Sequence, residues 1–219
     1  KIIAKRNDII DDQLISKLNK MKINSIFIQS PLTDPTPGDG ISSWSYGVEH
    51  DGRRLKSGDH IGVMSAHTIT EPSLNMAMKS FHTGGVITGK EGNAKGTLFD
   101  ALDRTLRFTQ AVPDKATMAS IDAKVKSINK SSIGGWDVVL QHPDGQEETR
   151  YIETANTPTV KTGDKVKKGD VISTGNISMH DVLKYKGMKD TQKFLVDELD
   201  KLNEGKLDRR NLEVIVRGI

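Results

Sequence analysis

The stretch from 70 to 108 constrains the fold most, because a glycine-rich chain separates two segments with helical signals. Thr70, Glu71 and Pro72 open the first segment with residues that are typical of a helix start. The second segment, 97–108, places leucines on one helical stripe. Five glycines lie between the segments, at Gly84, Gly85, Gly89, Gly92 and Gly96. Since glycine loses the most freedom on ordering, the pattern predicts two helices joined by a mobile tip, as in a lid.

The composition predicts thin modules that pack against partners. Only 35% of the 219 residues are hydrophobic and 20 are glycine, which leaves little apolar surface for one large core. The chain has no cysteine, which excludes a disulfide scaffold, a thiolate zinc site, an iron–sulfur cluster and a cysteine nucleophile. Its net charge of +3 permits contact with nucleic acid without demanding it.

The apolar runs indicate whether the chain can enter a membrane, and the first residues indicate whether it is a fragment. No apolar run is long enough to cross a bilayer, so we expect no membrane partner. Nothing at the start resembles a signal peptide, and the first residues resemble the middle of a polypeptide. We therefore expect a fragment or a processed chain.

The remaining patterns predict an α+β chain of several modules that forms part of a larger complex. We divide the chain into four parts, 1–60, 61–115, 116–178 and 179–219. The first part combines a helix at 8–22, capped by Asn7 or Asp8, with a short strand at 25–30 and an irregular, proline-rich loop. The second part holds the helical hairpin and its base.

The third and fourth parts carry different patterns. Apolar residues and lysines alternate at 121–126, and the Pro-Asp-Gly sequence at 143–145 predicts a hairpin turn. Two Gly-Asp turns follow, so we expect a small β-rich module that is similar to a barrel-sandwich. In the fourth part, Asp190 is expected to cap a helix at 190–203, and 212–217 is expected to form a C-terminal strand.

The helix predicted around 74–82 carries the candidate site. On a helical wheel, Asn75, Lys79 and His82 fall within about 60° of one another, with Met78 at their edge. These groups suit a nucleotide, because the amide can bond a sugar hydroxyl, the cations can meet phosphates and the thioether can pack on a base. On the wheel alone, a solvated polar face is the better interpretation.

A resemblance to a known family begins in 61–85, with the sequence IGVMSAHTITEPSLNMAMKSFHTGG. This segment closely resembles the trigger-loop segment of the largest (β′) subunit of multisubunit DNA-directed RNA polymerases. The shared register includes Glu71-Pro72, Met78 and the run from Phe81 to Gly85. Collinear similarity continues through KRNDIIDDQLISKL, GRRLKSGDHIG, KATMASIDAKVKSI and NLEVIVRGI. Because the matches span nearly the whole chain, they are more specific than one short motif.

The resemblance implies a role in transcription. In this family the trigger loop folds into a helical hairpin over the incoming nucleoside triphosphate and aligns its triphosphate for phosphodiester bond formation. By position, Met78 would pack on the substrate base and Asn75 would read the ribose. Lys79 and His82 would be the catalytic groups at the triphosphate, although Lys79 replaces an arginine and loses its bidentate geometry. Whether His82 acts as an acid or as a positional charge stays open, and the five glycines would form the hinge.

The catalytic metal must come from elsewhere if the resemblance holds. The family's two-metal mechanism needs an Asp-x-Asp-x-Asp cluster, and no Asp-x-Asp occurs in this chain. The resemblance therefore implies Mg²⁺ held by another part of the polymerase and no activity for this chain alone. The implied partners are β-like chains, the N-terminal part of β′, template DNA, the RNA product and nucleoside triphosphates.

A second metal site of the family is degenerate here. Bacterial β′ subunits carry a cysteine zinc site just before the trigger loop, where this chain has Asp34, Ser42 and Ser45. Serine is a poor zinc ligand, so we expect a metal-free loop. A zinc-less, short, separate chain is most similar to the divergent split-subunit polymerases of large bacteriophages. That similarity implies a cytoplasmic protein, in the host cytoplasm if phage-encoded, with packaging in the virion as a further option.

Two other classes of function compete with the polymerase interpretation. The run VKTGDKVKKGDVIS resembles biotinyl and lipoyl carriers of the barrel-sandwich type, and Ala77-Met78-Lys79 is similar to a biotin-attachment tripeptide. In carriers, however, the lysine tops a tight hairpin near that turn, whereas Lys79 lies on a predicted helix far from it. A non-catalytic nucleic-acid-binding factor would not need Met78, Lys79 and His82 in this register. The basic run 160–193 fits a solvated face and a channel wall equally well.

Overall fold

A computed structural model describes residues 3–5, 7–49, 51–70, 87–88, 94–95, 112–202 and 207–218. The chain forms two compact units. The first comprises Lys1–Asn75 with Asn203–Ile219, and the second comprises Met76–Leu202. Both helices and an antiparallel sheet are present, so the α+β class is confirmed. Among the described residues no helix has the length and apolar character that a bilayer crossing requires.

Helix α1 opens the first unit and spans Asp12–Lys20. The carboxylate of Asp11 accepts the backbone N–H of Leu14 at 2.7 Å, which makes Asp11 the N-cap. The predicted helix at 8–22 is therefore confirmed in its centre, but the prediction of Asn7 or Asp8 as its cap was wrong. Acidic Asp12 in the first turn and lysines in the last turn suit the helix dipole.

The segment after α1 does not form the strand predicted at 25–30. Those residues have no regular structure, and the side chains of Phe27 and Ile28 are exposed. A strand needs a neighbour for its backbone groups, and 25–30 pairs with no strand among the described residues. A short 3-10 turn follows at Pro31–Thr33, then helix α2 at Ser43–Tyr46 and helix α3 over residues 61–70. Thr70 lies within α3, where its hydroxyl donates to the carbonyl oxygen of Ala66 at 2.7 Å, so the prediction that a helix starts at Thr70 was wrong.

The C-terminal strand predicted at 212–217 is also wrong, because this segment lies within helix α6, Arg209–Arg217. Asp208 caps the helix by accepting the backbone N–H of Arg210 at 2.9 Å. The short run of β-branched residues suits a strand or a buried helix equally well by periodicity. The cap and the burial of Leu212 and Val216 favour the helix, and Val214 joins a core cluster with Tyr46.

The second unit contains a four-stranded antiparallel sheet with the order β5-β4-β3-β6. The strands are β3 (Ala123–Lys130), β4 (Trp136–Gln141), β5 (Glu147–Ile152) and β6 (Lys165–Val166). A smaller ladder, β1 (Ile87–Thr88) with β2 (Ala94–Lys95), lies within the glycine-rich stretch, where we expected no regular element. The predicted β-rich pattern is therefore confirmed for the main sheet.

The hairpin between β4 and β5 turns where the sequence predicts it. The N–H of Gly145 donates to the carbonyl of His142 at 3.1 Å, and the N–H of His142 donates to Gln146 at 2.8 Å. The predicted alternation on β3 is confirmed as well. Ala123 and Val125 are buried, whereas the intervening lysines are exposed. Together with apolar residues of the other strands, they form the core of this unit, Ala119, Ala123, Val125, Val138, Leu140, Ile152, Val166 and Ile172.

Two helices complete the second unit. Helix α4 spans Met179–Lys186, and helix α5 spans Met188–Leu202. Gly187 separates them with a φ of +86°, a conformation that glycine adopts without strain. The predicted helix at 190–203 is thus confirmed, but Asp190 lies in its first turn and is not its cap.

We expect Gly175→Ala to destabilise the second unit by about 2–3 kcal/mol. Gly175 has a φ of +119°, and an added Cβ would lie 2.4 Å from the carbonyl oxygen of Asp114. Gly145→Ala is the matched control, because Gly145 has a φ of +90° and open space around the new methyl group. The control should cost about 1 kcal/mol from backbone strain alone. Denaturant unfolding of both variants measures the difference, and equal losses would contradict the prediction.

Candidate functional site

The predicted substrate contacts lie outside the described residues. This applies to Asn75, Met78, Lys79 and His82, and to the five hinge glycines. The roles assigned to them therefore stay predictions. The structure does describe residues 61–70 of α3, which precede this segment in the chain, and the loop that contains Asp34, Ser42 and Ser45.

Asp34, Ser42 and Ser45 lie close together in the first unit. The carboxylate of Asp34 accepts the backbone N–H of Ser42 at 2.6 Å and the hydroxyl of Thr36 at 3.1 Å. The hydroxyl of Ser45 lies near the same carboxylate and helps to lower its pKa. Asp34 and Ser45 are both buried, so the carboxylate closes the loop from inside.

These hydrogen bonds set the charge state of Asp34. Burial alone would raise the pKa of this carboxyl, because it disfavours the charged form. The combined effect of the hydrogen bonds from Ser42, Thr36 and Ser45 on this pKa is larger than the effect of burial. The pKa of Asp34 therefore lies below its usual value of 3.8. Asp34 is therefore ionised at neutral pH, and hydrogen-bond donors occupy both of its oxygens.

The donor set does not fit zinc. A structural zinc site takes four ligands from cysteine, histidine and carboxylate side chains, whereas the three matched positions, Asp34, Ser42 and Ser45, offer one carboxylate and two serine hydroxyls. Asp34 already uses its oxygens on N–H and O–H donors. Across the part of the chain that the structure describes, no group of three or more His, Cys, Asp or Glu side chains is placed to hold a metal ion.

Arg217, at the end of α6, binds the same loop from outside. Its guanidinium donates to the carbonyl oxygen of Asp34 at 2.6 Å and to that of Thr36 at 2.8 Å. Longer hydrogen bonds reach Pro31 at 3.1 Å and Gly40 at 3.4 Å. The planar, five-donor guanidinium suits such a set of converging carbonyls, which a lysine ammonium would bind with less directional order.

Arg210, at the start of α6, binds the end of α2. Its guanidinium donates to the carbonyl oxygens of Val48 at 2.6 Å and Tyr46 at 3.2 Å. It also donates to the carboxylate of Asp208 at 3.0 Å, and this hydrogen bond is the main reason why the pKa of Arg210 is raised. The guanidinium lies 5.0 Å from the centre of the Tyr46 ring, within the range of a cation–π contact.

Between these two arginines, Asn211 lies buried against α2 and α3. Its side-chain oxygen accepts the hydroxyl of Tyr46 at 3.0 Å and the hydroxyl of Ser65 at 3.1 Å. Burial is the main reason why the pKa of Tyr46 is raised, so the phenol stays protonated and donates. Sequence patterns did not single out Arg210, Asn211 and Arg217, because their partners on α2, on α3 and in the loop around Asp34 lie more than 140 residues away in the chain.

Comparisons with known proteins agree with the resemblance noted in the sequence. A sequence model of the family described as RNA polymerase Rpb1, domain 5, matches residues 8–219. A DNA-directed RNA polymerase subunit beta' of Symbiobacterium thermophilum is 29% identical over 222 residues, which cover 99% of this chain and 18% of that protein. The same subunit of Caldanaerobacter subterraneus is 28% identical, with the same coverage.

A third relative extends the agreement. The DNA-directed RNA polymerase subunit beta' of Acetivibrio thermocellus is 29% identical over 222 residues, which cover 99% of this chain and 18% of that protein. The chain thus spans less than a fifth of the length of the curated relatives it matches. Because the family match covers almost every residue, the chain belongs to the RNA polymerase Rpb1 domain 5 family and corresponds to a C-terminal region of β′.

Proposed function

We propose that this chain is the C-terminal portion of a β′-like subunit of a DNA-dependent RNA polymerase and works only inside the assembled enzyme. The observation that carries the proposal is the family match over 8–219. It spans the segment 61–85, whose sequence resembles a trigger loop. In this proposal the trigger-loop segment closes on the incoming nucleoside triphosphate. It then aligns the triphosphate for attack by the end of the growing RNA.

The substrate contacts follow from the motif and the chemistry of its side chains. Met78 packs on the base, and Asn75 bonds the ribose. Lys79 and His82 place positive charge and hydrogen-bond donors at the triphosphate, where negative charge builds up during transfer. The glycines of the tip, from Gly84 to Gly96, supply the backbone freedom that opening and closing require.

The metal and the partners belong to the rest of the enzyme. Mg²⁺ neutralises the phosphate charge in such polymerases, and this chain lacks the Asp-x-Asp sequence that would hold it. We therefore propose that another part of the polymerase binds Mg²⁺. The proposed partners are β-like chains, the N-terminal part of β′, template DNA, the RNA product and nucleoside triphosphates.

Two finer proposals concern zinc and lineage. We propose that the loop around Asp34 folds without zinc. Arg217 donates hydrogen bonds to carbonyl oxygens of the loop, and the Asp34 carboxylate accepts hydrogen bonds from it. These hydrogen bonds hold the loop together in place of a metal ion. A zinc-less loop supports a place among the split-subunit polymerases of large bacteriophages. The chain would then act in the host cytoplasm, and packaging in the virion stays an option.

The other two classes of function are not favoured. A biotinyl or lipoyl carrier would need Lys79 at the tip of a tight hairpin, and the family match instead includes Lys79 within the polymerase segment. A non-catalytic nucleic-acid-binding factor would not need Met78, Lys79 and His82 at these positions of the motif, so this function does not explain them. The boundaries at 60, 115 and 178 and the barrel-sandwich-like character of the third part remain predictions.

The first test is His82→Ala in the reconstituted polymerase. We expect single-nucleotide addition at saturating substrate to slow by about 10–10⁴-fold, because a proton donor or a positive charge at the triphosphate is lost. Assembly and DNA binding should not change. His142→Ala, in the β4–β5 turn, is the matched control and should leave the rate unaltered. An unchanged rate for His82→Ala would remove this residue from the site.

The second test concerns zinc. Chain produced in zinc-supplemented medium should carry far less than one zinc per molecule by elemental analysis, and EDTA should leave its melting temperature unaltered. The physical reason is that the Asp34 carboxylate already has hydrogen-bond donors on both oxygens. One zinc per chain, with a loss of stability when the metal is chelated, would contradict the proposal.

The third test uses pH to isolate Asp34. Its pKa is lowered on folding, so its ionised form stabilises the fold above the ordinary value of 3.8, and this stability is lost as pH falls through the lowered value. We expect Asp34→Asn to cost about 1–2 kcal/mol of unfolding free energy at pH 7. The difference in unfolding free energy between this variant and the wild type should become smaller below pH 3.8. Asp39→Asn is the control, because Asp39 is exposed in the same loop. A loss of unfolding free energy in Asp34→Asn that does not change with pH would contradict the prediction.

A further inference from the structure

One buried amide oxygen joins three helices of the first unit. Ser65 of α3 and Tyr46 of α2 both donate their hydroxyl protons to the side-chain oxygen of Asn211 on α6, at 3.1 and 3.0 Å. All three residues are buried, and Ser65 is fully so. An amide oxygen has two lone pairs, so it accepts both hydrogen bonds without competition.

This arrangement makes both hydroxyls depend on one acceptor. A buried hydroxyl that loses its partner keeps its desolvation cost and gains nothing in return. If α3 rotated or slid along its axis, Ser65 would leave Asn211 and the hydroxyl would be buried without that acceptor. The hydrogen bond therefore favours a single rotation and a single height of α3 against α6.

Helix α6 is itself held firmly, so it can serve as the reference for α3. Arg210 binds the carbonyl oxygens at the end of α2, and Arg217 binds those of the loop around Asp34. These anchors lie on either side of Asn211 along the helix. The position of Asn211 is therefore set by contacts that do not involve α3.

The position of α3 matters because the proposed substrate-contacting segment follows residues 61–70 in the chain. Thr70, the last residue of α3 that the structure describes, comes five residues before Asn75 and nine before Lys79. A displacement at the end of α3 is passed on to the chain that continues from it. Misplacement of a reacting group by about 1 Å can cost about 100-fold in rate.

We infer that Asn211 is a positioning residue for nucleotide addition, acting through Ser65 on the helix from which the substrate-contacting segment continues. The inference rests on the proposed polymerase function. Asn211 is assigned no contact with substrate or metal. Its part is to hold α3 in one place, so that Lys79 and His82 start from a defined position.

The test is Asn211→Ala in the reconstituted polymerase, measured as single-nucleotide addition over a range of substrate concentrations. We expect the rate at saturating substrate to fall by about 10-fold, since geometry and not ground-state affinity is disturbed. The apparent KM should change by less than about threefold. Asn211→Asp keeps an acceptor oxygen in the same place and should recover most of the rate.

A matched control separates positioning from general loss of stability. Asn156 is a buried asparagine of the second unit, and its amide donates to the carbonyl oxygen of Lys115 at 3.1 Å. Asn156→Ala removes the same atoms as Asn211→Ala but from a residue with no hydrogen bond to α3. It should leave the rate of addition by the assembled enzyme within about twofold of wild type. Equal slowing by both variants would overturn the inference.

Ser65→Ala is a second test of the inference. It removes the hydroxyl that donates to Asn211 and changes only one oxygen atom at a fully buried site. If Asn211 acts through Ser65, the two substitutions should slow addition by less in combination than their separate effects predict. Should Asn211→Ala fail to assemble, Ser65→Ala alone decides the question, and an unchanged rate would overturn the inference.

The same assay with His82→Ala distinguishes a failure of the proposed function from a failure of the positioning role of Asn211. If His82→Ala slows addition and Asn211→Ala does not, the positioning role is overturned while the polymerase function stands. If neither substitution alters the rate, the role of His82 at the triphosphate and the positioning role of Asn211 are both overturned. Slowing by both, with recovery by Asn211→Asp, supports the inference.

Discussion

The hydrogen bonds that α6 makes to a loop near the other end of the chain are the interaction on which the first unit depends. Proline has no backbone N–H, and the loop contains Pro31, Pro35 and Pro37, so some of its carbonyl groups find partners outside the loop. Arg217 supplies them from one side, and the Asp34 carboxylate organises the loop from the other. Two opposite charges, each used as a directional hydrogen-bonding group, thus hold this loop in place.

The same helix connects this loop to the region proposed to handle substrate. Arg210 and Asn211 follow each other in α6, and they bind the end of α2 and the interior of α3. Structural order in the loop and the placement of α3 therefore depend on one element. If the proposed function holds, a chain without a complete active site influences catalysis through the placement of α3, because Lys79 and His82 follow α3 in sequence.

The second unit is built on a different principle. Its sheet depends on neighbouring strands joined by short connections and on a core of alternating apolar residues. Most of its order follows from contacts that are local in sequence, such as the β4–β5 hairpin. Segments far apart in sequence also meet, because residues 115–118 pair with residues 171–176. Gly175 lies in this region, where the chain passes so close to Asp114 that no side chain fits. Local strand pairing and this longer-range pairing together organise the unit.

Local signals in the sequence were enough for the α+β class, the hairpin at 143–145, the helix at 190–203 and the family resemblance. They were not enough for 25–30 and 212–217, where a short apolar run suits a strand or another structure equally well. There the outcome depends on the neighbouring elements, which periodicity does not contain. The sequence by itself determined the family and the absence of cysteine ligands, and it predicts the side chains that would meet a nucleotide. Only the tertiary structure decided that Arg217 and Asn211 hold the loop and α3, because hydrogen bonds between residues far apart leave no periodic mark on the chain.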